Sequence, residues 1–71
     1  MCGIIGIASN KPVSTNIIES LKRLEYRGYD SAGLATLHNN QIQEKKCTGR
    51  VEKLEKILFK TPALGSVGIG H

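Results

Sequence analysis

The stretch Leu34-Ala35-Thr36-Leu37-His38-Asn39-Asn40-Gln41-Ile42-Gln43-Glu44-Lys45-Lys46-Cys47 reads as a β-hairpin. Two strand-like runs, Leu34–His38 and Gln41–Cys47, are separated by Asn39-Asn40. Asparagine tolerates the positive φ that a two-residue hairpin turn requires. The second run alternates Ile42, Glu44 and Lys46 with Gln43, Lys45 and Cys47, a polarity suited to an edge strand or a solvent face. Toward the N-terminus, Arg27–Gly33 reads as a loop. Before it, Val13, Ile17, Ile18, Leu21 and Leu24 line one helix face. Glu19 is placed to meet Arg23 one turn on. Ser14, Thr15 or Asn16 is the expected cap, Asn16 and Glu19 having capping-box spacing, and Gly28 is a natural stop. Residues 2–9, with apolar or small side chains at both parities, predict a strand buried on both faces.

Toward the C-terminus, Gly49 and Arg50 lead into a second helix with a Val51, Leu54, Ile57 and Leu58 stripe and a Glu52–Lys56 pair. Thr61-Pro62 ends it. Residues 66–71 read as a strand with Val67 and Ile69 on one side and Gly68 and Gly70 on the other, where a backbone or a ligand can approach closely. The order β-α-β-β-α-β fits a ferredoxin-like sandwich or the opening of a larger α+β protein.

The chain has 71 residues and, with 10 Lys+Arg against 6 Asp+Glu, a formal charge of +4. A single domain of this size buries only about 60% of its unfolded surface. Its two cysteines and two histidines offer little to reinforce the core. That suggests part of something larger. No apolar run approaches the ~20 residues of a membrane span, and no basic start precedes the run at Ile4–Ala8, as a secretory signal would need. A cytosolic protein is expected. The basic residues are spread from Lys11 to Lys60 among acids, and Tyr26, Tyr29 and Phe59 have no stacking-platform spacing. Solvated helix faces explain them better than nucleic-acid binding. His38 and His71 lack ligand-spaced partners, so no metal is expected. Cys47 reads as a half-buried strand residue.

Two features carry chemistry. Cys2 follows Met1 directly. Removal of Met1 would leave a thiol and a free α-amine on one residue. A thiol of pKa about 8.5 needs help to become a thiolate, and an α-amine of pKa about 7.7–8.0 is a base near neutrality. Position alone also fits a small strand residue that happens to be second. The other feature is Tyr26-Arg27-Gly28-Tyr29-Asp30-Ser31-Ala32-Gly33, which gathers a guanidinium, a carboxylate, hydroxyls and glycines between a helix and a strand. Arg27 can hold a carboxylate or carbonyl, and Asp30 can bond to backbone N–H groups in an Asx-turn. Helix-stop and turn chemistry is the alternative reading.

Taken together, Met1-Cys2-Gly3-Ile4-Ile5-Gly6-Ile7 and Leu21-Lys22-Arg23-Leu24-Glu25-Tyr26-Arg27-Gly28-Tyr29-Asp30-Ser31-Ala32-Gly33 resemble the start of the class II glutamine amidotransferase domain. Within that family, Tyr29 after Gly28 looks like the glutamine–fructose-6-phosphate aminotransferases (isomerising). The related amidophosphoribosyltransferases typically have His-Arg-Gly-Gln-Asp here. Thr48-Gly49-Arg50-Val51 and Gly68-Ile69-Gly70-His71 also match, so the resemblance covers essentially the whole chain.

The resemblance implies an α+β fold, the N-terminal part of an N-terminal-nucleophile hydrolase αββα sandwich. It implies glutamine cleavage through a γ-glutamyl thioester on Cys2, with the α-amine of Cys2 as general base. The ammonia would pass to an isomerase domain and convert fructose 6-phosphate to glucosamine 6-phosphate. Arg27 and Gly28 match the loop beside the nucleophile, Arg27 orienting it, and Tyr29 and Asp30 belong to the same loop. No cofactor is implied, and the full-length protein would be a homodimer. The family continues past its Gly-Ile-Gly-His segment into Thr-Arg-Trp-Ala-Thr-His-Gly, an Asn-Gly oxyanion hole and an acidic residue for the glutamine amine. Residues 1–71 therefore predict a partial glutaminase domain without isomerase domains. It would be inactive alone, since oxyanion donors are worth roughly 10²–10³ in rate. With sheet edges and an apolar face left uncovered, it would also fold poorly by itself. The competing readings are a truncated paralogue serving as a binding or regulatory module, and a related class II enzyme.

Overall fold

The computed structural model describes residues 3–27 and 30–71, with Arg27 described by its backbone alone. Its elements are β1 (Ile5–Ala8), α1 (Ser14–Leu24), a 3-10 turn (Glu25–Arg27), β2 (Ser31–His38), β3 (Gln41–Thr48), α2 (Val51–Lys60) and β4 (Val67–Gly70). The hairpin forms as read: β2 and β3 pair antiparallel from Ser31↔Thr48 to His38↔Gln41. Asn39 and Asn40 turn it at φ of 52° and 61°. β2 begins earlier than Leu34, because Ser31, Ala32 and Gly33 take ladder partners on β3 rather than forming a loop.

The four strands make one antiparallel sheet in the order β1-β4-β2-β3. β4 and β2 are central. This differs from the ferredoxin-like alternative, in which the first and third strands are central. Polar β3 takes an edge, where its unpaired side is compatible with water.

Both helices cover the same face. α1 lies over β1 and β4, and α2 over β2 and β3. Val13, Ile17, Ile18 and Leu21 of α1 and its entry meet Ala32 and Leu34 of β2 and Val51 and Leu54 of α2 in one core, closed by Ala63. The other face carries Ile4, Leu37, Ile42, Val67 and Ile69, all exposed. The molecule is thus one α layer on one β layer, an α+β arrangement compatible with the N-terminal part of the expected αββα sandwich. This arrangement corrects the expectation for the first strand. Ile5 and Ile7 are half-buried under α1, while Gly6 and Ala8 are exposed on the open face.

The glycine side of β4 has a structural use. A Cβ on Gly70 would collide with Cγ2 of Ile17, and one on Gly68 would lie 2.9 Å from Cδ1 of Ile17. The two bare positions let α1 settle close to the sheet.

The start of α1 is set by burial rather than by a polar cap. Val13, fully buried, is the N-cap residue and makes no side-chain cap. The Val13 N–H donates to the Gly65 carbonyl at 3.1 Å. Asn16 therefore sits inside the first turn, too far along to cap it. The ion pair on α1 is Lys22–Glu55 at 2.9 Å, which bridges to α2. The Glu55 carboxylate bonded to its ammonium raises the Lys22 pKa. No ion pair joins Glu19 and Arg23 among the described residues. On α2 the Glu52–Lys56 pair forms at 3.6 Å, and Thr61 closes the helix by donating its N–H and hydroxyl to the Ile57 carbonyl. Gly28, the expected stop of the first helix, lies outside the described residues.

The α2–β4 connection is fixed by side chains. Buried Thr36 donates its hydroxyl to the Leu64 carbonyl, and the Leu64 N–H donates to Gln43 Oε1 at 2.7 Å.

Gly70→Ala is expected to destabilise the fold by about 1–3 kcal/mol through overpacking against Ile17. Thr36→Val is expected to cost about 1–3 kcal/mol by leaving the Leu64 carbonyl short of a donor. Denaturant unfolding, in the shortest form of the protein that unfolds cooperatively, measures both. A loss under ~0.5 kcal/mol, the size of an ordinary surface substitution, would contradict either account.

Candidate functional site

Four chain segments converge at one end of the sheet. The register places Ile5 of β1 opposite Gly70 of β4, and Gly70 opposite Leu34 of β2. The start of β1, the end of β4, the start of β2 and the end of β3 therefore share an edge. His71 extends the ladder there: its N–H donates to the Gly33 carbonyl at 2.9 Å and its carbonyl accepts from the Gly33 N–H at 3.0 Å. A cavity of about 230 Å³ opens here, lined by Ser31, Ala32, Lys46, Cys47, Thr48 and His71.

Gly3, just before β1, lies against the last residue of α1. A Cβ at Gly3 would sit 2.7 Å from Cδ1 of Leu24. The N-terminal end of the chain and the C-terminal end of α1 thus meet at this edge. Cys2, the candidate nucleophile, precedes Gly3 and lies outside the described residues, as do Gly28 and Tyr29 and the side chain of Arg27. Asp30 is described. It is exposed, and its backbone carbonyl accepts the Gly49 N–H at 2.8 Å. Arg27 closes the 3-10 turn that follows α1, three residues before Asp30.

Sequence reasoning missed Glu25. Its Oε2 accepts the Val51 N–H at 2.9 Å, at the first residue of α2. That N–H is one of the donors a helix start leaves without an intrahelical acceptor, and the carboxylate also suits the positive end of the helix dipole. The N-cap residue itself, Arg50, makes no side-chain cap. Capping rules search within a few residues, whereas this acceptor comes from 26 residues away. In the sequence Gly49 is a lead-in to α2 and part of the Thr48-Gly49-Arg50-Val51 match. It adopts φ of +94°, a conformation L side chains rarely take.

Cys47 is half-buried as expected, and its thiol faces the Arg50 carbonyl at 3.9 Å. Among the described residues no group of three or more His, Cys, Asp and Glu is arranged to hold a metal ion. No described helix is long and apolar enough to cross a membrane.

No family model matches the chain. It is 54% identical over all 71 residues to the glutamine–fructose-6-phosphate aminotransferase (isomerising) of Bartonella henselae. Identity is 55% to that of Bartonella quintana and 51% to that of Bradyrhizobium diazoefficiens, again over the whole chain. In each case the chain spans about 12% of the relative's length. The match lies at the relatives' N-terminal end, which is where a Met1-Cys2-Gly3 start and the 21–33 segment belong. By sequence, the whole chain is similar to the N-terminal segment of the glutamine–fructose-6-phosphate aminotransferases (isomerising).

Proposed function

We propose that residues 1–71 form part of a glutaminase domain of a cytoplasmic enzyme that converts fructose 6-phosphate and glutamine to glucosamine 6-phosphate and glutamate. The observation that carries this reading is identity above half with such enzymes across every residue of the chain. The convergence of the β1 start with the turn after α1 at one sheet edge supports it.

In this reading Met1 is removed and Cys2 becomes the N-terminal residue. Its α-amine takes the thiol proton as the sulfur attacks the carboxamide carbon of glutamine. The tetrahedral intermediate collapses, the C–N bond breaks, and the proton leaves with nitrogen as ammonia. A γ-glutamyl thioester remains. Water then attacks it, releasing glutamate and restoring the thiol. Ammonia and fructose 6-phosphate give glucosamine 6-phosphate and water in a separate domain. Arg27 and Gly28 match the family's loop beside the nucleophile, with Arg27 orienting it, and Tyr29 and Asp30 belong to the same loop. Oxyanion donors and the grip on the glutamine amine come from sequence outside these 71 residues, so the segment alone has no turnover, and the full-length enzyme is a homodimer.

Cys2→Ala in the full-length enzyme is expected to abolish glutamine-dependent formation of glucosamine 6-phosphate. Formation from added ammonium salt should stay near the wild-type level, because ammonia enters after the lost step. Product assays with each nitrogen source make the comparison. Retained glutamine-dependent synthesis in the variant would overturn the proposal.

A further inference from the structure

Glu25 and Asp30, on either side of residues 26–29, are both anchored to one short segment. On the N-terminal side Glu25 Oε2 accepts the Val51 N–H at 2.9 Å. On the C-terminal side the Asp30 carbonyl accepts the Gly49 N–H at 2.8 Å. Residues 25 and 30 are thus both held by residues 49–51. That segment is itself fixed: Val51 is buried in the core, Gly49 has a conformation few other residues adopt, and the Arg50 carbonyl accepts the Lys53 N–H at 3.0 Å. The Asp30 anchor is backbone to backbone, so its identity is not set by a side chain. The Glu25 anchor depends on a carboxylate long enough to reach another helix. Its charge strengthens the bond relative to a neutral acceptor.

We propose that Glu25 is a positioning residue for glutamine cleavage: by capping α2 it fixes where the backbone of the Glu25–Arg27 turn stands at the end of the sheet from which β1 starts. The proposal rests on the amidotransferase reading, since it assigns that turn to the neighbourhood of Cys2. Glu25 itself takes no part in bond making. A shift of the turn by about 1 Å can cost up to roughly a hundredfold in rate where geometry is set by positioning. No local sequence rule pairs Glu25 with Val51, which is why the link emerges only from the fold.

The test uses the full-length enzyme with Glu25→Ala, Glu25→Gln and, as a reference for lost stability away from the turn, Thr36→Val. Glu25→Ala is expected to lower kcat/KM for glutamine roughly tenfold to a hundredfold, with ammonia-dependent synthesis unchanged. Glu25→Gln keeps an acceptor oxygen and should recover most of the loss. Hydrogen exchange should accelerate across residues 26–31 in Glu25→Ala but not in Thr36→Val, and Thr36→Val should keep its glutamine turnover below its unfolding range. Wild-type glutamine turnover in Glu25→Ala would overturn the proposal. So would equal losses in Glu25→Ala and Thr36→Val at matched stability, because Glu25 would then be structural only. Glutamine turnover that survives Cys2→Ala would instead remove the amidotransferase reading, and the exchange data would still decide whether Glu25 holds the turn.

Discussion

Ile17 packs onto a part of the sheet that has no side chains. Gly68 and Gly70 of β4 lie beneath it, and a methyl group at Gly70 would occupy the space taken by Cγ2 of Ile17. This close approach sets the height and register of α1. Val13, Ile18 and Leu21 then fall into the same core as Leu34 and Leu54. The helix ends with Leu24 against Gly3, and the next residue, Glu25, reaches the start of α2. The sheet edge where β1 begins is thus built from the far end of a helix whose seat is a pair of glycines. Interiors packed to this density transmit a displacement of one element to the next.

The local features of the chain were legible because their causes are local. Asn39 and Asn40 take positive φ because a two-residue turn demands it. The apolar stripes of both helices appear at helical spacing, with Val13, Ile17, Ile18, Leu21, Val51 and Leu54 buried and Leu24, Ile57 and Leu58 half-buried. The glycine side of β4 was visible as a place of close approach, and the structure supplies its partner, α1. What was hidden depends on contacts distant in sequence. The insertion of β4 between β1 and β2 is a pairing choice that no single strand encodes. The helix start at Val13 follows from burial and from the Gly65 carbonyl, against the local suggestion of Asn16. The first strand, apolar at both parities, is covered on one face only, because both helices lie on the same side.

The candidate site divides in the same way. Cys2 and the Arg27–Asp30 segment stand out by residue type and position, a thiol directly after Met1 and a guanidinium and a carboxylate beside a glycine. Their supports do not stand out. Glu25 looks like a solvated helix residue, and Gly49 like a turn, until the fold brings them to the two ends of one loop. Side chains that do chemistry are recognisable one at a time, whereas the groups that hold them depend on the tertiary structure.

The central claim is that Cys2 becomes the N-terminal residue and carries the glutamyl group. Mass spectrometry of the N-terminal peptide, from the full-length protein mixed with glutamine and quenched in acid, tests it most directly. The account predicts a peptide that lacks Met1, with a γ-glutamyl group bound to the Cys2 sulfur, seen early and gone once glutamine is exhausted. A peptide that retains Met1, or one that stays unmodified while glutamine is being consumed, would contradict it.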